Sequence, residues 1–450
     1  MKIVVVGAGK VGEKLVEVLS LENHDIVAVD LNAKKIENLI NKFDVFGVVG
    51  SGSQKEILEE AGVDKADFFI ASTSADEFNI VACVLAKSLG AKYTIARVRA
   101  PEYFTQTEVM QKSLGVDLPF NPEYRTAVEI SQILKHPSAN KIETFADGLA
   151  KMIEFTIEEG NAIIGKTIVE VVKEIGANVL FALIKRGNET FIPWGETVIE
   201  EGDDITIIGT ETEILSFTKK INIFKPSAKS VFIIGGGKIS YYLTNLLVQN
   251  GVEVKILEVN EERCQFLSEE LPQASILCGD ATEQEILDEE DFEKADACVT
   301  LTGMDEQNVV LSMYAMQKGS SKVITNVDRE SVMNMVKILG LDTMLSPRNV
   351  IASHILRFIR SRQTSSASRV KALYKLADGV EALEFIVSED FAHCDKPLRE
   401  LSISKDTIIA GIIRNQDFIK AGGDTTFKIG DRVLVVSTKK SLTVLEEILD

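Results

Sequence analysis

The sequence predicts an α/β protein made by tandem duplication. Each half is expected to hold a Rossmann-like lobe, with a doubly wound parallel sheet, followed by a small α+β C-terminal lobe. Three observations support this. Short β-branched runs alternate with amphipathic runs of about 10–15 residues, the pattern typical of parallel sheets. A glycine-rich turn follows the first apolar run of each half. The second half then repeats the motifs of the first in the same order.

The duplication is visible in three pairs of segments. KIVVVGAGKVG, at 2–12, is repeated as SVFIIGGGKIS, at 230–240. KADFFIASTSADEFN is repeated as KADACVTLTGMDEQN, and FADGLAKMIEF as LADGVEALEF. The last pair lies beyond the predicted parallel-sheet lobe, so each half is expected to have two lobes.

The elements follow in chain order. In the first lobe, the predicted strands are IVVVG, IVAVD, FGVVG, DFFIAS and YTIARV, and GEKLVEVLS and EFNIVACVLAKSL have helical periodicity. EYRTAVEISQILKH and RNVIASHILRFIRS are predicted crossover helices, and QTSSAS is expected to be a flexible joint. The predicted boundaries are 1–120 and 228–346 for the Rossmann-like lobes, 121–140 for the first crossover helix, 347–370 for the second helix with its linker, and 141–222 and 371–450 for the C-terminal lobes.

Composition excludes several classes of function. The net charge is −19, which repels a polyphosphate backbone, so nucleic acid is not an expected partner. The five cysteines form no CxxC pair, which argues against a disulfide framework or a zinc site and fits a reducing, cytoplasmic location. No stretch approaches the ~18–20 apolar residues that span a bilayer. Any work at a membrane is therefore expected to go through another chain.

The first glycine loop has the residues of a dinucleotide cradle: Gly7, Ala8, Gly9, Lys10, Val11 and Gly12. Gly7 suits the tight turn, Gly9 the close approach of a pyrophosphate, and Gly12 the packing of helix on strand. Asp30 ends the second strand, where a carboxylate can accept hydrogen bonds from both ribose hydroxyls. Leu31 follows it and supplies no cation for a 2′-phosphate, so NAD(H) or an adenine nucleotide is favoured over NADP(H).

The second loop is less complete. It consists of Gly235, Gly236, Gly237, Lys238 and Ile239, followed by Ser240 in place of the third glycine. Ser240 adds a side chain where the helix packs against the strand. Glu258 takes the place of Asp30 and can also hold a ribose, with a longer reach.

Several other residues are further candidates for contact with the ligand. Lys10 and Lys238 are candidates for phosphate contact or for solvation. Arg97 ends the strand TIARV and is a candidate phosphate ligand, and Asn326 is its counterpart in the second half. A strand-to-helix junction carries Thr73, Ser74, Asp76, Glu77 and Asn79, for which helix capping and ligand contact are both open.

No catalytic residue is predicted. None of the four histidines is paired with a carboxylate at a suggestive spacing, and the chain contains no GxSxG, HExxH or Walker loop. We therefore expect a protein that is not an enzyme. An NAD-dependent oxidoreductase using the first lobe remains the alternative.

The duplicated unit, with GAGKVG, VAVD, ASTSADEFNIVACVLAKSLG, IARV and then ADG and GD in its last lobe, resembles the RCK (KTN) family of regulatory domains of potassium transport. Two units in one chain are similar to the peripheral subunits of Trk potassium uptake systems. The resemblance implies that each unit is a Rossmann lobe, a crossover helix and a C-terminal lobe. It also implies that chains assemble as a ring, commonly a homotetramer, beneath a separate membrane-embedded potassium transporter subunit (TrkH-like). A regulator of potassium efflux or of another channel is the second alternative.

The resemblance further implies that NAD(H), ATP or ADP binds the Rossmann lobes and gates potassium flow. The nucleotide contacts carried over by position are Gly7 to Val11, Asp30, Thr73, Ser74 and Arg97, with Gly235 to Ile239 and Glu258. The family often has a Gly-Asp pair after the third strand, where the aspartate approaches the adenine. Gly279-Asp280 keeps this pair, whereas Gly50-Ser51 does not.

Overall fold

The computed structural model groups the chain into two compact units. Unit 1 contains Met1–Ser131 and Lys229–Leu356, and unit 2 contains Gln132–Ala228 and Arg357–Asp450. The two Rossmann-like lobes therefore share one unit, and the two C-terminal lobes share the other. The structure describes residues 1–22, 24–104, 106–145, 148–176, 178–187, 189–290, 292–336, 339–341, 343–363, 370–377, 379–439, 442 and 444–449.

The first lobe is a doubly wound parallel sheet. Its elements are β1 (Lys2–Val6), α1 (Lys10–Ser20), β2 (Asp25–Asp30), α2 (Ala33–Lys42), β3 (Phe46–Val49), α3 (Lys55–Glu60), β4 (Phe68–Ala71), α4 (Asp76–Leu89), β5 (Tyr93–Arg97), α5 (Pro101–Phe104), α6 (Thr107–Ser113) and β6 (Leu118–Phe120). The strand order β3-β2-β1-β4-β5-β6 changes direction between β1 and β4, which is where ligands bind in sheets of this type. β4 is buried throughout, as expected for a strand with helices on both faces.

The first crossover helix leads into an antiparallel C-terminal lobe. Its elements are α7 (Pro122–Lys135), β7 (Lys141–Phe145), β8 (Ala150–Thr156), α8 (Ile168–Ile175), β9 (Leu180–Arg186), β10 (Glu189–Phe191), β11 (Asp204–Gly209) and α9 (Glu211–Lys220). The sheet order is β10-β9-β11-β8-β7. Thr167 and Thr210 begin α8 and α9, each with a capping box to a glutamate three residues later.

The second half repeats this plan. Its Rossmann-like lobe contains β12 (Ser230–Ile234), α10 (Lys238–Gln249), β13 (Glu253–Glu258), α11 (Glu261–Glu270), β14 (Ser275–Cys278), α12 (Gln284–Glu289), β15 (Ala297–Thr300), α13 (Asp305–Gln317), β16 (Lys322–Asn326), α14 (Glu330–Val336) and β17 (Met344–Leu345). Its parallel sheet has the order β14-β13-β12-β15-β16-β17. Then follow α15 (Pro347–Gln363), β18 (Val370–Ala377), β19 (Val380–Ile386), β20 (Thr407–Arg414), β21 (Asp417–Lys420) and β22 (Arg432–Ser437).

The two C-terminal lobes share an apolar core within unit 2. Met152 and Ile208 of the first lobe belong to the same buried cluster as Ala382 and Leu434 of the second. β19 is buried at six of its seven positions because one face packs on this shared core and the other on the core of its own lobe. A lobe of this size gains much of its stability from such a shared core.

A buried ion pair is repeated in both C-terminal lobes. Arg186 donates from Nε and Nη2 to the two carboxylate oxygens of Asp203, at 2.8 and 2.9 Å. Arg414 makes the same two-point contact with Asp431, at 2.9 and 2.7 Å. Both aspartates are buried, so the fork fixes the turn before β11 and before β22.

The predicted fold class is confirmed, and the structure adds detail to it. The sixth strand of each parallel sheet, β6 or β17, was not among the predicted strands because it is only three or two residues long. α1 begins at Lys10, two residues before the predicted helical run. Of the predicted joint QTSSAS, only Gln363 lies among the described residues. In the described ranges no helix is both long and apolar enough to cross a membrane.

Candidate nucleotide-binding site

Unit 1 contains a cavity of about 720 Å³ that both Rossmann-like lobes line. It lies at the carboxyl ends of the strands, where the sheet order reverses, and its volume is within the usual range of ligand sites. Eleven of the predicted site residues line it: Gly7, Gly9, Lys10, Val11, Asp30, Thr73, Ser74, Arg97, Gly237, Lys238 and Ile239. The structure thus brings the two glycine loops to one cavity.

The first glycine loop has a separate steric reason for each glycine. Gly7 has φ of +99°, and an added Cβ would lie 3.0 Å from the backbone of Thr73. A Cβ on Gly12 would lie 1.8 Å from the carbonyl oxygen of Gly7, so α1 packs on the loop only because Gly12 has no side chain. Gly9 has open space around it, which leaves its backbone accessible from the cavity.

The Asp30 carboxylate is fixed at the edge of the cavity. Oδ2 accepts from the amide of Ala8, at 2.7 Å, and Oδ1 accepts from the amide of Asn32, at 2.8 Å. The ammonium group of Lys35 is 4.0 Å from Oδ2. A carboxylate oxygen has further lone-pair sites, so Asp30 retains acceptor capacity for ribose hydroxyls.

The second glycine loop is arranged differently. Glu258 accepts from the amide of Gly236, as Asp30 does from Ala8. Arg263, however, donates from Nε to the carbonyl of Gly236, at 2.6 Å, and its guanidinium lies over the Phe266 ring, 4.6 Å from the centroid. Burial lowers the pKa of Arg263, with Glu258 acting in the opposite direction. Of this cradle, Gly235, Gly236 and Glu258 are not among the residues that line the cavity.

Ser240 is accommodated without opening the loop. Its side chain is buried, and its hydroxyl donates to the carbonyl oxygen of Gly235. The same carbonyl position is the one that a Cβ on Gly12 would strike in the first lobe. In the second lobe, Ser240 therefore forms a hydrogen bond with the carbonyl whose counterpart in the first lobe would clash with a side chain at Gly12.

Asp280 lies away from the cavity lining. Its Oδ1 accepts from the amide and the hydroxyl of Thr282, each at 2.8 Å, and these hydrogen bonds lower its pKa. Ala8 and Gly12 also lie outside the lining, where they hold Asp30 and pack α1 respectively. Gly50, the counterpart of the Gly279 position, lines the cavity.

A buried asparagine of the predicted strand-to-helix junction, Asn79, holds the loop that carries Thr73. Asn79 Oδ1 accepts from the amide and hydroxyl of Thr73, at 2.9 and 2.7 Å, and its Nδ2 donates to the carbonyl of Arg97, at 2.9 Å. The N-cap residue of α4 is Ala75, and no side chain caps the helix. Thr73 is therefore not a capping residue, and its hydroxyl is bonded to Asn79 instead. Asn308 makes the same bonds to Thr302 and Asn326. In the sequence, the two asparagines are visible as the last residue of the repeated motifs DEFN and DEQN.

Two ion pairs of opposite arrangement line the cavity. In the first lobe, Arg97 at the end of β5 donates to Glu123 at the start of α7, at 3.1 Å. In the second lobe the helix start carries the cation, and Arg348 lies 3.0 Å from Asp328. The residue after the proline is therefore acidic in the first repeat (Glu123) and basic in the second (Arg348). This difference is visible when the two halves of the sequence are compared.

Four polar atoms in and beside these two ion pairs are buried without a hydrogen-bond partner: Arg97 Nε, Glu123 Oε2, Asn326 Oδ1 and Arg348 Nε. All four residues line the cavity. Burial lowers the pKa of Arg97 against the opposing effect of Glu123. Unpaired buried groups are costly, so a shift of these side chains that brings the two donors and two acceptors to a polar ligand would be favoured.

The histidines lie elsewhere. His136 follows α7 in unit 2, with Nε2 3.3 Å from the ammonium of Lys151 and 3.4 Å from Glu211. Nε2 of His354 is 3.4 Å from Nη2 of Arg125. The cavity lining includes no histidine, cysteine or tyrosine among the residues that the structure describes. Over the same residues, no group of three or more His, Cys, Asp or Glu is arranged to hold a metal ion.

Comparison with known families identifies all four lobes. The TrkA-N domain model matches residues 3–122 and 231–347, and the TrkA-C domain model matches residues 152–222 and 382–450.

Two relatives are similar to this chain over nearly their whole length. The chain is 33% identical to the "Trk system potassium uptake protein TrkA homolog" of Archaeoglobus fulgidus, over 100% of both chains. It is 30% identical to the TrkA protein of Vibrio alginolyticus, over 98% of this chain and 96% of that one.

Solved structures share the fold. The GsuK channel bound to NAD has a TM-score of 0.64 at 20% identity, over 98% of this chain and 77% of that one. The GsuK RCK domain has a TM-score of 0.63 at 19% identity, over 98% and 92% of the two chains.

Proposed function

Because this chain belongs to the TrkA family, we propose that it is the regulatory subunit of a potassium uptake system and that nucleotide binding in its unit 1 cavity gates the transporter. The observation that carries the nucleotide part is the single cavity lined by both glycine loops and by Asp30. Relatives named as potassium uptake proteins over their full length support the transport part.

The first lobe is the main nucleotide cradle. It presents Gly9 and the N-terminus of α1 to a phosphate and the Asp30 carboxylate to a ribose. Asp30 would repel a 2′-phosphate, and Lys35 is its one neighbouring cation in the described structure, so the ligand is NAD(H), ATP or ADP rather than NADP(H). The second lobe contributes Gly237, Lys238 and Ile239 to the same cavity.

The unpaired atoms of the two ion pairs give the nucleotide a way to act. The Nε atoms of Arg97 and Arg348 are both buried, so a phosphate oxygen accepts from them only when the side chains shift, and a ligand with more phosphates favours that shift more strongly. A ligand shifts a conformational equilibrium only by its differential affinity for the two states. ATP, ADP and NADH thus differ in effect to the extent that they reach Arg97 and Arg348 differently.

Exposed apolar side chains on unit 1 favour self-association. Val81 and Val84 are exposed on α4, and Val310, Met313 and Met316 are exposed on α13, at the i, i+3 spacing of one helix face. Apolar faces of this kind mark protein interfaces. We take them as the contacts of a ring, a homotetramer, attached to the inner face of the membrane through a TrkH-like partner.

The oxidoreductase alternative has less support. Hydride transfer to a carbonyl needs a proton donor beside a substrate pocket, and the charged groups of the described lining are accounted for by the two glycine loops, Asp30 with Lys35, and the two ion pairs. The efflux alternative changes only the partner. Flux measured with the Trk membrane subunit against an efflux channel separates the two.

Thermal unfolding with NAD, NADH, ATP and ADP tests the proposal. A ligand that binds only the folded chain raises the melting temperature by mass action. Asp30→Ala should abolish the shift, whereas Glu258→Ala, whose carboxylate lies outside the lining, is the matched control and should retain it. No shift with any nucleotide at millimolar concentration would contradict the proposal.

A further inference from the structure

Three exposed apolar residues lie together on the first C-terminal lobe. Val169, Trp194 and Val198, hereafter the Trp194 patch, are 53%, 64% and 41% exposed. The backbone joins them, since the amide of Val169 donates to the carbonyl of Gly195, at 3.0 Å, and Thr167 forms a β-bridge with Val198. Trp194 is the single tryptophan of the sequence.

The turn and the β-bridge do not require these residues, because the second C-terminal lobe makes the same backbone contacts without them, although a short 3-10 turn (Leu398–Glu400) replaces α8 there. There the amide of Arg399 donates to the carbonyl of Gly423, at 3.0 Å, and Pro397 forms the β-bridge with Thr426. The turn is also shared: the amide of Trp194 donates to Thr197 Oγ1, at 2.9 Å, and that of Gly422 to Thr425 Oγ1, at 3.0 Å.

The three apolar positions are therefore occupied by polar or small residues in the second lobe. Val169, Trp194 and Val198 correspond to Arg399, Gly422 and Thr426, and Arg399 is paired there with Asp424. The shared turn and bridge therefore form without an apolar cluster, and the exposure of the three side chains leaves them free for a partner. Exposed aromatic residues are typical anchors of protein interfaces.

The charge around the patch selects the partner. The two segments that carry the patch, 166–174 and 194–203, contain six carboxylates and two lysines. Arg186 on β9 offsets part of this charge through Glu200 and Asp203, and the charge around the patch remains acidic on balance. A second copy would bring the same acidic rim against this one and is disfavoured, as is an anionic lipid surface.

We infer that the Trp194 patch docks a basic amphipathic segment on the cytoplasmic side of the membrane-embedded transporter; this rests on the proposed function. Cytoplasmic loops of membrane proteins carry an excess of Lys and Arg. A cation over the Trp194 ring gains cation–π attraction, and the flanking carboxylates steer the segment to it.

The test exchanges the patch for its counterpart in the second lobe. The variant combines Val169→Arg, Trp194→Gly and Val198→Thr, residues that the second lobe shows to be compatible with the element. Ile429→Thr, at an exposed apolar position of the second lobe, is the matched control. Binding of the full chain is measured by flotation with proteoliposomes that contain the membrane-embedded Trk subunit, and with empty anionic vesicles.

The triple variant should bind the proteoliposomes at least about tenfold more weakly, as expected for loss of an aromatic anchor, and the control should bind as wild type does. With 5-fluorotryptophan in this chain alone, the single ¹⁹F resonance should shift on saturation. Equal binding of the triple variant, or an unmoved resonance, would overturn the inference. A shift with empty vesicles, or with protein concentration alone, would overturn it in favour of lipid or of a second copy. Failure of the wild type to bind the proteoliposomes would instead remove the proposed function and this inference with it.

Discussion

Gly12→Ala should disable the first cradle through a steric conflict. The new Cβ would lie 1.8 Å from the carbonyl oxygen of Gly7 and 3.0 Å from the hydroxyl oxygen of Ser72, so α1 and the loop must separate by more than an ångström. Overpacking of this kind costs about 1–3 kcal/mol. The loop begins at Gly7, with φ of +99°, and leads directly into α1. Separation of α1 from the loop therefore also displaces the amides at the N-terminus of α1.

Urea unfolding and calorimetric titration with NADH and ATP measure the two consequences separately. We expect the free energy of unfolding to fall by about 1–3 kcal/mol and the affinity to fall by at least about tenfold, or ~1.4 kcal/mol. Ser240→Ala is the matched control in the second loop. It removes the bond to Gly235 without adding volume, and it should leave nucleotide affinity nearly unchanged. A Gly12→Ala variant that binds NADH as the wild type does would refute the steric reasoning.

Three further changes are predicted. Asn79→Ala removes the buried clamp on Thr73 and Arg97 and should cost about 2–3 kcal/mol in urea unfolding together with nucleotide affinity; Asn308→Ala, the matching change in the second lobe, should cost similar stability and less affinity because that lobe is not the main cradle, and equal affinity losses would contradict this. Asp203→Ala breaks the two-point contact with the partly exposed Arg186 and should cost about 2 kcal/mol; an unchanged urea midpoint would show that the fork is dispensable. Burial, followed by Lys151, lowers the pKa of His136 from 6.5, so the unfolded chain binds the proton more readily and stability should fall as the pH drops below about 6.5; His136→Gln should flatten this slope, and an identical pH profile would exclude His136 as its cause.

The features that the sequence predicted best are those that local chemistry controls. Periodicity of apolar residues identified the parallel strands, and the spacing of Gly7, Gly9 and Gly12 corresponds to a tight turn, an open position and close helix packing in the structure. Repetition of the same motifs predicted two lobes of one kind. Short edge strands such as β6 and β17 carry too few residues to show a period.

The features that sequence reasoning missed depend on contacts between distant segments. Nothing local indicates that Arg263 caps the second loop, or that Asn79 reaches back six residues to Thr73. The pairing of Arg97 with Glu123 requires the end of a strand and the start of a crossover helix to meet. The shared core of the two C-terminal lobes likewise depends on which sheets pack together.

Potassium flux into proteoliposomes that contain the Trk membrane subunit and this chain tests the central claim most directly. The account predicts that NADH, ATP and ADP, supplied on the side of this chain, change the flux to different extents. It also predicts that Asp30→Ala removes the response while Glu258→Ala retains it. Flux that depends on this chain but ignores every nucleotide would contradict the account.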